Sequence, residues 1–215
     1  MAAEFLPPIE RGDIDRLLAR DQPPEVIGIV DGKFLQTLSI SPKEVLRAVD
    51  RGVRVFGSSS MGALRAVECE QWGMTGIGRI FDEYRSGRNV AEDEVALVFD
   101  ERTGTALSEP MINLRFAIAD AVAGDEIDAE TGDVFLAEAK APYFPHRTSR
   151  NVLRLIEDRV PPAEHAVLVA FFAHGAPDAK REDALELLGR IRDHLDDHPT
   201  RPIGPQPMVG RRGSH

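Results

Sequence analysis

The 215-residue sequence predicts an α/β fold: a small, mostly parallel N-terminal sheet with crossover helices, followed by a helical C-terminal half. Two short apolar runs, EVIGIVDGKF (25–34) and VRVF (53–56), flank a segment punctuated like a helix, which gives strand, helix, strand. A helical crossover of that length joins parallel strands with a right-handed connection. From about Glu109 onward, apolar residues recur at helical spacing in blocks separated by Pro or Gly.

Residues 1–24 carry Pro7, Pro8, Pro23 and Pro24 around GDIDRLLAR and read as a docked arm with one short helix. The first strand ends at Asp31-Gly32, a turn pair. In SISPKEVLRAVDRG, Ser41 is an N-cap candidate, Pro42 occupies the first helical position and Glu44 completes a capping-box spacing. Val45, Leu46 and Val49 give that helix an apolar face, and Gly52 ends it. Met61 to about Trp72 reads as a second helix. GMTGIGRIFDEYRSG is glycine-rich at first and helical afterwards. Five helical blocks follow, from NLRFAIADAVAG to KREDALELLGRIRDHLDD. Residues 1–198 therefore read as one domain, with 25–108 as the α/β layer and 109–198 as the helical part. Residues 199–215, PTRPIGPQPMVGRRGSH, read as a disordered tail.

A net charge of −10 leaves no phosphate-neutralising excess, which argues against a nucleic-acid binder. No apolar run approaches the ~20 residues of a spanning helix, and the N-terminus lacks the basic and apolar regions of a signal peptide. The single Cys69 excludes an internal disulfide and a cysteine-rich zinc site. A soluble cytoplasmic protein without a membrane or metal role is expected.

The segment RVFGSSSMGALRA (54–66) is the most informative. Three serines in a strand-to-helix turn admit a helix cap, an anion cradle or a nucleophile elbow. The cradle lacks its signature, since Ala63 stands where a phosphate loop needs lysine. An elbow has a small residue two positions before the serine and glycine two after. Ser58-x-Ser60-x-Gly62 meets that spacing, whereas centring on Ser59 ends at Met61. Ser60 is thus the preferred nucleophile, Ser59 the next, and the N–H groups of Met61 and Gly62 are oxyanion donors. All six histidines lie at or beyond position 146, so the base is sought among lysines. Lys43 starts the crossover helix, and Ser60 follows the second strand; both belong to the carboxyl edge of the sheet, where α/β folds place ligands. A cation is disfavoured at a helix N-terminus, which biases Lys43 towards giving up its proton. Lys33 reaches the same edge from a loop.

LPPIERGDI, EVIGIVDGKF, SPKEV, FGSSSMGALRAVE, WGMTGIGRIFDEYRSG and AEDEVAL occur in the order and spacing of TfuA-like proteins. The chain resembles that family closely over about residues 5–98 and more weakly through HRTSRNVL and KREDALELL. The resemblance implies a TfuA-type fold and work beside a YcaO-type enzyme that exchanges a peptide amide oxygen for sulfur. It also implies binding of a thiocarboxylated, ubiquitin-like sulfur carrier of the ThiS type and hydrolysis of its thiocarboxylate by a Ser-Lys pair. Carried over, the serine falls among Ser58–Ser60 and the SPKEV lysine is Lys43. A histidine often follows the AEDEVAL segment in the family. Phe99 stands in that region here, and no catalytic histidine is assigned.

Arg65, one turn beyond Ser60, is a candidate for admitting the anionic thiocarboxylate; its alternative is an ion pair with Glu68 or with the Asp93–Glu94 carboxylates. Asp31 could orient Lys43 but fits the Asp-Gly turn better. Glu92, Asp93 and Glu94 read as a solvated helix start. Trp72, Phe81 and Tyr84 read as core, as does Cys69, whose acidic neighbours disfavour a thiolate. No cofactor is expected. Partners are the enzyme, the carrier and the precursor peptide. The competing reading is a non-catalytic adaptor that brings peptide and carrier to the enzyme. The helical half, without recognised chemistry of its own, is expected to dock the enzyme.

Overall fold

A computed structural model describes residues 3–33, 38–100 and 102–198. The predicted disordered tail lies outside these residues. Three parallel strands, β1 (Val26–Ile29), β2 (Arg54–Ser58) and β3 (Thr75–Ile77), form one sheet in the order β1-β2-β3. Helix α1 (Asp13–Leu18) lies in the N-terminal arm, α2 (Pro42–Asp50) links β1 to β2, and α3 (Met61–Cys69) links β2 to β3. Helix α4 (Arg79–Arg85) follows β3. The helical part holds α5 (Met111–Ala123), α6 (Ala129–Lys140), α7 (Ser149–Ile156), α8 (Pro162–Ala173) and α9 (Ala179–Asp197).

The α2 punctuation forms as its sequence dictates. Ser41 and Glu44 make a capping box, with the Ser41 amide donating to Glu44 Oε2 at 3.0 Å. Glu44 Oε1 also accepts from the Gly12 amide at 2.6 Å, which fastens the N-terminal arm to α2. Alternation along the strands then sorts the two sheet faces. Ile27, Ile29 and Val55 enter the main core beside Ile14, Val45, Ala63 and Leu64. Phe56 and Ile77 meet Leu187 and Ile191 of α9 on the other face. Gly28 permits that second contact, because a Cβ there would lie 2.6 Å from Ile191 Cδ1. The last helix thus returns to the sheet. The helices α5–α8 enclose a separate cluster around Phe135, Val152, Ile156 and Leu168.

Three expectations are corrected. Residues 75–77, read as a glycine-rich lead into a helix, are strand β3. Gly76 is needed there because a Cβ would lie 2.1 Å from the Phe81 ring of α4. Phe81 and Tyr84 are core residues, but Trp72 is 52 % exposed, in a 3-10 turn between α3 and β3 that buries none of its residues. Glu92–Val95 is also a 3-10 turn rather than a solvated helix start, and Glu94 is buried between Arg115 and Lys140.

Candidate functional site

The serine turn joins β2 to α3 at the carboxyl edge of the sheet. Its glycines allow α3 to start directly against the strands. A Cβ on Gly62 would lie 1.8 Å from the Ile29 carbonyl oxygen, and one on Gly57 would lie 2.2 Å from that of Gly62. The turn carries strain at Ser59, a non-glycine residue in the left-handed region with φ 68°. Such a sharp strand-to-helix bend is the geometry of a nucleophile elbow.

All three serines are buried, and the first turn of α9 covers them. Ser58 Oγ donates to the Asp183 carbonyl at 3.0 Å, and Ser59 Oγ to the Lys180 carbonyl at 2.8 Å. Ser60 is the N-cap residue of α3, yet its hydroxyl does not cap the helix and makes no hydrogen bond among the described residues. Its hydroxyl is therefore the uncommitted one of the three.

The backbone donors divide similarly. The Gly62 amide donates to the Val30 carbonyl at 3.1 Å, and the Ser60 amide is shared between Val30 and Ser58. Among the described residues the Met61 amide meets no acceptor. Of the two expected oxyanion donors, Gly62 is thus engaged and Met61 is open.

Lys43 lies on the exposed side of the first turn of α2, and no hydrogen bond or ion pair among the described residues joins it to the serines or to Asp31. Lys33 pairs with Glu10 at 3.4 Å. The lysine that the fold brings to the serine turn is Lys180, in the first turn of α9. It is 9 % exposed, its carbonyl holds Ser59, and its amide donates to Asn113 Oδ1 at 3.0 Å. The Lys180 amine donates to the Val95 carbonyl at 3.0 Å and stands 3.8 Å from Asp31 Oδ2. Burial pulls its pKa below the ordinary lysine value, and the Asp31 and Asp178 carboxylates only partly oppose this. Asp31 thus faces Lys180 with one oxygen, while its other oxygen accepts from the Gly32 amide in the turn.

Arg65 is buried and already partnered. Its Nε donates to the Ile40 carbonyl at 2.9 Å and its Nη1 pairs with Glu68, which ties the α2 entry to α3. Asp183, also missed in the sequence, fixes α9 to the sheet edge. Its carboxylate accepts from the Arg79 and Ile80 amides at 2.9 Å each. Cys69 is fully buried, and burial reinforced by Glu68 pushes its thiol up to about 11. Phe99, in place of a histidine, bridges to Ala106. Among the described residues no group of three His, Cys, Asp or Glu side chains is placed to hold a metal ion, and no helix is long and apolar enough to cross a membrane.

Lys180 was hidden because KREDALELL reads as the polar start of an amphipathic helix. The one available signal was its position beside Asp178, an N-cap residue that places Lys180 in a first helical turn. The helical half, expected to dock a partner only, supplies this lysine and the carbonyls that hold two of the serines.

Residues 31–148 match the model of a protein family described as TfuA-like protein. The matched span contains the serine turn and Glu94 but stops before Lys180. No curated protein matches the chain.

Proposed function

Because the chain belongs to the TfuA-like protein family, we propose that it is a serine-type hydrolase that cleaves the C-terminal thiocarboxylate of a ubiquitin-like sulfur carrier and supplies hydrosulfide to a YcaO-type enzyme. The observation that carries the reading is the uncommitted Ser60 hydroxyl on a turn to which a buried lysine biased towards its neutral form is anchored. Lys180 takes the role of base in place of the exposed Lys43. A neutral Lys180 amine can donate one N–H to Val95 and still offer its lone pair.

In the proposed reaction Ser60 Oγ attacks the thiocarboxylate carbon as its proton passes to Lys180. The tetrahedral oxyanion is met by the Met61 amide. The C–S bond breaks, the proton moves from Lys180 to sulfur, and hydrosulfide leaves. Water then attacks the acyl-serine ester with Lys180 again taking the proton. Lys180 returns that proton to the Ser60 oxygen as the ester C–O bond breaks, and the products are a carrier carboxylate, hydrosulfide, one proton released to solvent and regenerated Ser60.

Sulfide release from a thiocarboxylated carrier, measured on purified variants, tests the reading. Ser60→Ala and Lys180→Met lose release, whereas Lys43→Ala retains it. Loss in Ser59→Ala with full activity in Ser60→Ala moves the nucleophile to the strained residue. Unchanged release in all serine and lysine variants refutes the hydrolase.

One observation favours the adaptor reading. Helix α8 is apolar around its circumference, yet only Leu168 is buried, and Val169 is 43 % exposed. An apolar helix of that kind is ordinarily covered. On this reading α8 docks the YcaO-type enzyme. Val169→Asp would then weaken the complex without reducing sulfide release, a result compatible with both activities in one protein.

A further inference from the structure

We infer that Glu94 is a positioning residue for the Lys180 amine, acting through the carbonyl of its neighbour Val95. The inference rests on the reading of Lys180 as the base.

Among the described residues the Lys180 amine has one hydrogen-bond acceptor, the Val95 carbonyl at 3.0 Å, and one carboxylate within ion-pair range, Asp31 at 3.8 Å. They have opposite consequences for a base. A neutral carbonyl holds the amine without demanding a charge on it, whereas a direct pair with Asp31 stabilises the ammonium, which cannot accept a proton. Which partner wins depends on where the Val95 carbonyl lies. Val95 ends a single 3-10 turn, Glu92–Val95, too short to fix itself by its own hydrogen bonds.

The turn is fixed from outside. Glu94 is 2 % exposed, and its carboxylate takes a two-pronged contact from Arg115 of α5, with Nε at 2.6 Å and Nη2 at 2.9 Å. Lys140 of α6 adds a third contact at 2.9 Å. The end of α6 is itself held by the buried Arg147, whose Nε donates to the Ala139 carbonyl at 3.0 Å. At the other side of the turn, Tyr84 Oη donates to the Ala91 carbonyl at 2.7 Å. Burial alone would raise the Glu94 carboxyl, but the Arg115 and Lys140 contacts outweigh it and keep the carboxyl below the ordinary glutamate range. The anchor is therefore charged at neutral pH, and a charged, desolvated carboxylate cannot leave its two cations cheaply. The Val95 carbonyl, one residue along the chain, inherits that restraint. Two helices remote from the serine turn thus hold the base away from Asp31.

Removing the negative charge of Glu94 should by itself make an ammonium less favourable. If Glu94 acts by position, Glu94→Gln frees the Val95 carbonyl and the amine moves onto Asp31, so Lys180 titrates higher. The charged groups facing the amine are Asp31, beyond β1, and Asp178, at the start of α9. Both stay in the variant.

The experiment is NMR titration of protein carrying lysine labelled at Cε and Nζ, with Lys180 assigned by its loss in Lys180→Met; the chain has four lysines. The expected result is a rise of roughly one pH unit in the Lys180 midpoint in Glu94→Gln. The acid limb of carrier hydrolysis should move up equally, and kcat at neutral pH should fall about tenfold, with KM little changed. Arg115→Lys keeps the charge and loses the two-pronged contact. It should shift the midpoint in the same direction by less and serves if Glu94→Gln does not fold. A midpoint that falls or stays in place in the folded variants overturns the inference. If the wild-type protein releases no sulfide, the hydrolase reading fails, while the midpoints still decide whether Glu94 positions the amine.

Discussion

Asp183→Ala tests the contact that sets α9 on the serine turn. Asp183 is 2 % exposed and accepts the Arg79 and Ile80 amides, the first two of α4, at 2.9 Å each. Helix α4 has no cap of its own, because Gly78 precedes it at φ +98°, where a Cβ would lie 2.2 Å from Asp183 Cγ. Alanine leaves both amides without their acceptor. Hydrogen bonds to a charged group contribute about 1.5–3 kcal/mol each. Burial of the carboxylate offsets part of this, and water entering the space left behind recovers part of the rest. The expected loss is about 2–4 kcal/mol, which in a chain of this length lowers Tm by roughly 5–15 °C. Urea unfolding followed by far-UV circular dichroism reads it, with an unchanged m-value showing that the unfolded state is the same. Asp183→Asn should lose less, since one amide oxygen still accepts. The pH dependence has a definite sign. Burial, only partly opposed by the two amides, raises the Asp183 carboxyl above the ordinary aspartate range. The folded state therefore binds the proton more tightly than the unfolded one. The stability of wild type relative to Asp183→Asn grows as pH falls through the folded-state pKa towards about 3.9. A loss below about 0.5 kcal/mol for alanine, the size of an ordinary surface change, would refute the clasp.

Three further outcomes follow from the same packing. Gly62→Ala places a methyl 1.8 Å from the Ile29 carbonyl oxygen and should cost at least about 3 kcal/mol or prevent folding, measured by the same unfolding assay. Lys180→Met should be more stable than wild type at neutral pH. Burial lowers the folded-state pKa, so the cost of the amine is complete below that pKa and fades as pH rises towards about 10.4, which denaturation across alkaline pH would trace. Cys69 should resist a thiol reagent at pH 8 in the native protein and react on unfolding, because it is fully buried with its thiol pushed up to about 11; rapid native labelling would contradict that placement.

Features encoded within a few turns of chain are legible from the amino-acid order alone. The Ser41-Pro42-x-Glu44 punctuation fixed the start of α2 because every partner of the capping box lies within three residues. Short apolar runs marked β1 and β2, and the crossover length implied their parallel pairing. The glycine-bounded serine run marked the strand-to-helix turn, because only glycine lets α3 touch β1 so closely.

Tertiary structure decided the partners of that turn. Ser59 meets Lys180 across 121 positions and Ser58 meets Asp183 across 125, separations over which no local periodicity carries information. Lys43 and Lys180 look alike as polar residues opening helices. They differ because Lys43 lies on the outward side of α2, whereas the first turn of α9 is pressed onto the sheet edge. Glu94 sits in an acidic run that reads as solvated until Arg115 and Lys140 close over it. Strand β3 is three residues with a central glycine, and it becomes a strand because β2 offers it an edge and Phe81 fills the space a side chain would take. Burial decides whether a lysine is a solvated charge or an amine biased towards its neutral form, and burial depends on which distant surface arrives to cover it.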